Sequence, residues 1–128
     1  MVSEGQERRG ASRIQLVDRP AARVRGIREV RLLDVSPTGA QIEHLDLFRL
    51  GASGAVDLPP PCGALSLPAQ VIWCTVIGRK LKLGGDSHLV VRSGLRFTAL
   101  TEAQRAGLAS SLRHLAAILK PDRYRQSA

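Results

Sequence analysis

The sequence predicts a mainly β fold, a small antiparallel barrel followed by one C-terminal amphipathic helix. Three observations carry this expectation. Between Arg13 and Leu100, six or seven short segments alternate apolar with polar residues, the pattern of half-buried antiparallel strands. Turn residues separate them. After Thr101 the apolar period lengthens to that of a helix. A chain of 128 residues fits one domain, and its 44% hydrophobic content suffices for a core. Aromatics make up only 3%, so aliphatic residues must do most of the packing. That many strands in so short a chain favour closure into a barrel, which leaves no open sheet edge.

The elements follow in order. A polar arm, 1–13, precedes a short strand at Arg13 to Val17, with Ile14 and Leu16 on one face. Asp18-Arg19-Pro20 reads as a turn, and strands are expected over Arg23 to Ile27 and Glu29 to Val35. Ser36-Pro37-Thr38-Gly39 is a turn by chemistry, because Pro presets φ and Gly accepts the left-handed region. Ala40 to Leu45 returns as a strand, and Gly54 to Leu58 forms another that ends at three prolines, Pro59 to Pro61. Leu65 to Ile77, the most hydrophobic run, contains Trp73. Gly78 to Ser87 is basic and glycine-rich and reads as a solvated hairpin tip. Leu89 to Leu100 is a strand, broken or bulged at Gly94. Thr101-Glu102-Ala103-Gln104 is a capping box. Leu108, Leu112, Leu115 and Leu119 then make one helical stripe, and Pro121 should stop the helix. The boundaries expected are therefore an arm at 1–13, a barrel plus helix at 14–120 and a tail at 121–128.

Composition narrows the function. The net charge is +8, carried by 16 Arg and 3 Lys against 11 acidic residues, which favours an anionic partner. Arginine suits phosphate through its planar fork, although arginine excess also arises from biased genomic composition. No apolar run approaches the length of a membrane-spanning helix, and the first ten residues lack the apolar middle of a secretory signal. A cytoplasmic protein without membrane insertion is expected. Two cysteines, Cys62 and Cys74, make neither a disulfide scaffold nor a zinc site, and no metal is expected. His44, His88 and His114 lie far apart, and Asp46 and Asp57 have no motif context, so catalysis is not expected. With two Phe, one Tyr and one Trp, the chain lacks the stacking platform of nucleic-acid-binding barrels.

Two motifs gain meaning together. Arg9-Gly10-Ala11-Ser12-Arg13, preceded by Arg8, is an RxxxR at the entrance to the first strand. Arg19/Arg23 and Arg92/Arg96 repeat the spacing, so it says little alone. Some twenty residues later, Asp34-Val35-Ser36-Pro37-Thr38-Gly39 is a DxSxxG between two strands. In this order the pair resembles the signature of the PilZ family. Ala69-Gln70-Val71-Ile72-Trp73 is similar to that family's hydrophobic strand ending in Trp, and Gly94-Leu95-Arg96-Phe97 resembles its glycine-x-Arg-Phe strand. The resemblance runs from about Glu7 to Leu119.

The resemblance implies a six-stranded antiparallel split barrel with a C-terminal helix, and a ligand, cyclic di-GMP, with no other cofactor. Arg9 and Arg13, with Arg8 beside them, would engage phosphates and the guanine Hoogsteen edge or stack on a base. Asp34 would accept from the guanine N1–H and N2–H₂ donors. Ser36 would supply a hydroxyl contact, and Gly39 would let the backbone approach the base. Arg19 and Arg92 are expected to stand outside this site. Ligand binding would clamp the polar arm onto the barrel and create a surface for an effector protein, in motility, surface polysaccharide production or a related bacterial process. With no further domain in view, output through such a partner is expected. Two alternatives remain at this stage, a PilZ-like adaptor that binds no nucleotide and a basic barrel that binds nucleic acid. The Gly78 to Val91 segment could serve a partner or simply be solvated.

Overall fold

A computed structural model describes residues 13–25, 28–81 and 84–127, with side chains described as far as residue 118. Seven strands precede one helix: β1 (Ile14–Gln15), β2 (Ala21–Val24), β3 (Arg28–Val35), β4 (Gly39–Leu45), β5 (Ser53–Asp57), β6 (Ser66–Leu81), β7 (Ser87–Phe97) and α1 (Glu102–Ser127). Neighbours in the sheet run β3-β2-β5-β6-β7-β4, and β4 pairs with β3 again, so six antiparallel strands close into a ring. The two-residue β1 prolongs the edge of β3 beyond β2, opposite Val35 and Asp34. The expected six-stranded barrel is present, and β1 accounts for the seventh strand.

Alternation builds the interior. Val30, Leu32, Val35, Ile42, Val56, Leu67, Val91 and Leu95 point inward and are almost fully buried. The hairpin between β3 and β4 is fixed by Ser36, whose Oγ accepts from the Thr38 and Gly39 backbone N–H groups, each at 3.2 Å. This local bonding is why a serine opens the turn.

α1 begins as the capping box requires. Thr101 N–H donates to Gln104 Oε1 at 2.8 Å, and Gln104 N–H donates to Thr101 Oγ1 at 3.0 Å. Leu108, Leu112 and Leu115 are buried in the core cluster with Ile14, Cys62 and Leu67. Each such burial contributes about 2 kcal/mol, more than the cap itself. The helix thus covers the barrel beside β1 and the 3-10 turn Pro60–Cys62.

Four expectations shift. The second strand lies at Ala21–Val24 rather than Arg23 to Ile27, since Ala22 is the residue that faces the core. β6 continues through Gly78 to Leu81 as a two-stranded ribbon with β7, so the turn is shorter than the basic loop expected. β7 is continuous at Gly94, and the irregularity sits opposite, at Ile72 of β6. Finally, α1 passes through Pro121 to Ser127 where a stop and a tail were expected. Proline's fixed φ is compatible with a helix, and the chain gives up the bond to Ala117 there.

Candidate ligand-binding face

One irregularity in β3 creates the site. The register pairs Leu32 with Ile42 and Asp34 with Gln41, leaving Leu33 as an extra residue. Strict alternation would place Asp34 on the same face as Leu32, inside the barrel. The bulge resets the phase, so that Leu32 and Val35 both face inward and Asp34 turns to the outer face. By residue type alone DxSxxG is a turn. Its aspartate needs a bulge to point anywhere useful.

The register then carries an outward row across four strands. Asp34 on β3 opposes Gln41 on β4, Gln41 opposes Gly94 on β7, and Gly94 opposes Trp73 on β6. Three strand spacings make this row roughly 15 Å long. A neighbouring row holds Arg31, Glu43, Arg92 and Thr75. The opposite neighbour holds Gly39, Arg96 and Gln70, with Arg96 Nη2 donating to Gln70 Oε1 at 3.3 Å.

At the β3 end of these rows lies a cavity of about 360 Å³, lined chiefly by Arg13, Gln15, Arg19, Asp34, Gln41 and Arg92. Arg13 Nη1 stands 3.7 Å from Asp34 Oδ2. Arg19 and Arg92 both reach Glu43 Oε1, at 3.6 Å and 3.2 Å. Three guanidinium groups thus face two carboxylates, leaving the cavity cationic. Asp34 itself is only 4% exposed. Burial pushes its carboxyl above the usual aspartate value, while Arg13 and the Gln41 backbone N–H oppose that rise.

Of the residues anticipated, the structure brings Arg13 and Asp34 together and sets Ser36 and Gly39 in the adjoining turn. Arg8 and Arg9 lie outside the described residues. Ser36 is buried, with its hydroxyl occupied by the turn. Gly39 has a packing duty: a Cβ there would clash with the Leu95 carbonyl oxygen. Its missing side chain lets β4 close on β7. Arg19 and Arg92, expected to stand apart, line the same cavity as Asp34. Spacing along the chain could not reveal this, because Arg92 arrives through the pairing of Glu43 with Arg92 across β4 and β7.

The histidines also differ from expectation. His88 Nδ1 meets Asp46 Oδ2 at 2.8 Å, a carboxylate partner that the sequence did not suggest. His44 is buried and bonds through Nε2 to Ser93 Oγ at 2.6 Å, and Cys74 Sγ lies 3.1 Å from the same oxygen. Among the described residues no cluster of three or more His, Cys, Asp or Glu could hold a metal ion. No described helix is long and apolar enough to cross a membrane.

A family model, PilZ domain, matches residues 6–114. The chain belongs to the PilZ domain family. A solved structure described as the PilZ domain with c-di-GMP of YcgR from Escherichia coli is similar to this PilZ domain, with a TM-score of 0.52 at 16% identity. The alignment covers 90% of this chain and 84% of that one, so the likeness lies in the fold. No curated protein matches the sequence. Within the PilZ frame, the motif turn, the bulged aspartate and the cationic cavity occupy one end of one outer face.

Proposed function

We propose that this PilZ domain is a cyclic di-GMP receptor whose ligand lies on the outer face between Asp34 and Trp73. The observation that carries the reading is Asp34, a carboxylate turned outward by a bulge and held beside Arg13 in a cationic cavity. The named relative, an E. coli PilZ domain with c-di-GMP, supports it.

Each residue has a chemical task. Asp34 accepts from the N1–H and N2–H₂ of one guanine, an edge that adenine does not offer. Leaving that carboxylate unmatched costs about 1–3 kcal/mol, which gives base selectivity. Arg13, joined by Arg9 and Arg8 of the N-terminal segment, takes the phosphates or the O6/N7 edge through its fork. Arg92 and Arg19 supply further positive charge while Glu43 keeps them in place. Ser36 holds the turn that fixes Asp34, and Gly39 keeps β4 close to β7. The cavity volume is at the lower end of the roughly 300–1,000 Å³ usual for ligand sites. It receives one base and its phosphate, and the rest of the ligand extends over Gly94 toward Trp73, which is 37% exposed.

Binding fastens the N-terminal segment onto this face and presents a composite surface to an effector protein in the cytoplasm, through which motility or surface polysaccharide production is controlled. The domain works as a receptor and does no chemistry on its ligand.

Titration calorimetry with cyclic di-GMP, GTP and a short oligonucleotide tests the reading. Saturable binding of cyclic di-GMP alone supports it. Salt-steep oligonucleotide binding would replace it with a nucleic-acid module, and binding to none of the three would leave an adaptor.

A further inference from the structure

A second cavity, of about 570 Å³, opens at the barrel mouth and shares no lining residue with the one beside Asp34. None of its walls comes from α1. Its floor is apolar, formed by Val56, Val71 and Leu95 of the core. Its rim is cationic, carrying Arg25, Arg28 and Arg49. Among the described residues none of these three arginines makes a salt bridge, and Asp46 is the carboxylate whose charge reaches Arg28 from a distance.

Two of the three are held in place by neutral contacts. Arg25 Nη2 donates to the Ser53 carbonyl at 3.0 Å, and Arg28 Nη1 donates to the Leu45 carbonyl at 2.9 Å. The Arg28 guanidinium also sits 5.0 Å from the centre of the Phe48 ring. Each guanidinium keeps most of its five donors free. Arg25 adopts φ of +58°, a left-handed conformation that a long side chain seldom takes. Its side chain lies over Gly54, where a Cβ would come within 2.9 Å of Arg25 Cγ and Nε. The turn that follows β2 sets this backbone, and the glycine beneath leaves room for the side chain, so together they place one cation at the mouth.

We propose that this mouth binds an amphiphilic anion, a carboxylate or phosphate head on the arginine rim with an aliphatic tail directed to the barrel core. A rim of three arginines without salt bridges would by itself suit any anion. The apolar floor selects one with a tail, because burying methylene groups is what such a floor rewards.

Decanoate is the probe, with octanoate and hexanoate as shorter tails and decylamine and decanol as controls of charge. The carboxylates bind in calorimetry, with affinity rising by up to about fourfold per methylene, and decylamine does not bind. Methyl NMR shifts fall on Val56, Val71 and Leu95. Arg28→Ala weakens decanoate about tenfold or more. Arg49→Ala, an exposed side chain with no hydrogen bond of its own among the described residues, weakens it in the same direction, and thermal melting verifies that both variants fold. Co-sedimentation with phosphatidylglycerol vesicles separates the two sources of such a ligand. Pelleting that Arg28→Ala abolishes assigns the head group to a bilayer lipid, and decanoate binding without pelleting assigns it to a free amphiphile. Decanoate affinity equal to that of decanol, indifference to both arginine changes, or shifts confined to residues around Asp34 would overturn the proposal.

Discussion

The indole of Trp73 covers Gly94, its pairing partner across β6 and β7, so closely that a Cβ at residue 94 would clash with the Nε1 side of the ring. Glycine in a strand interior is ordinarily a weakness, and here an aromatic side chain on the adjacent strand fills the space. The bulge at Ile72 is what brings Trp73 onto the outer face with Gly94 and Gln41. The pair therefore lies at the far end of the row that begins at Asp34.

Gly94→Ala should displace the indole and destabilise the domain by about 1–3 kcal/mol, as overpacking does. Trp73 is the single tryptophan, so its fluorescence reports this spot alone. Urea denaturation should show the loss, and the native emission should shift to the red. An unchanged midpoint and spectrum would mean that the ring moves aside freely.

Asp34→Asn should raise the melting temperature at neutral pH while abolishing most nucleotide affinity. Burial holds the folded Asp34 carboxyl above its ordinary value of 3.8, so the folded chain binds that proton more tightly than the unfolded chain. The ionised group therefore costs stability, and the cost grows as pH rises from 3.8 through the folded value. Asparagine removes it, so the gain should vanish in acid. The lost pairing with Arg13, whose side chain is 48% exposed, offsets little. Cyclic di-GMP affinity of the parent protein should fall as Asp34 protonates, starting above the usual carboxylate range. Melting curves and titrations across pH check both.

Arg92→Ala should weaken cyclic di-GMP by about threefold to tenfold, since a partly exposed cation beside the phosphates adds a modest charge-assisted contact. Arg23→Ala lines neither cavity and should leave affinity unchanged. Equal losses in the two variants would point to net charge instead of a site, and calorimetry distinguishes the outcomes.

Acid should destabilise the fold through His44. Burial lowers its pKa below 6.5, and its Nδ1 has no hydrogen-bond partner among the described residues. Neutral His44 therefore contributes stability that is complete above 6.5 and is lost as pH falls toward the folded value, because the unfolded chain takes the proton first. Chemical denaturation between pH 7.5 and pH 5.5 should show the decline, and His44→Gln should flatten it over that interval.

The fold was legible wherever alternation is uninterrupted. The Ser36 turn and the Thr101 cap appear where the residues place them because each depends on bonds made within a few residues, and Ala40 to Leu45 follows from the hairpin that the turn opens. What escaped depends on register. A single bulged residue, Leu33, decides which way Asp34 points, and no local preference marks Leu33 as different from Leu32. Arg92 joins the cavity through pairing with Glu43 across 49 positions. The motif implies room for a ligand at Gly39, and only the register shows that its empty side also accommodates β7. The arginine-rimmed mouth was invisible for the same reason, since Arg25, Arg28 and Arg49 meet only when the barrel closes.

Amide chemical-shift mapping with cyclic di-GMP tests the central claim most directly, because it locates the ligand as well as detecting it. The expected shifts follow the outer row and its cavity: Gln15, Asp34, Gln41, Arg92, Gly94 and Trp73. Shifts gathered instead around Arg28, Phe48 and Ser53, or none at saturating ligand, would contradict a receptor site built on Asp34 and Arg13.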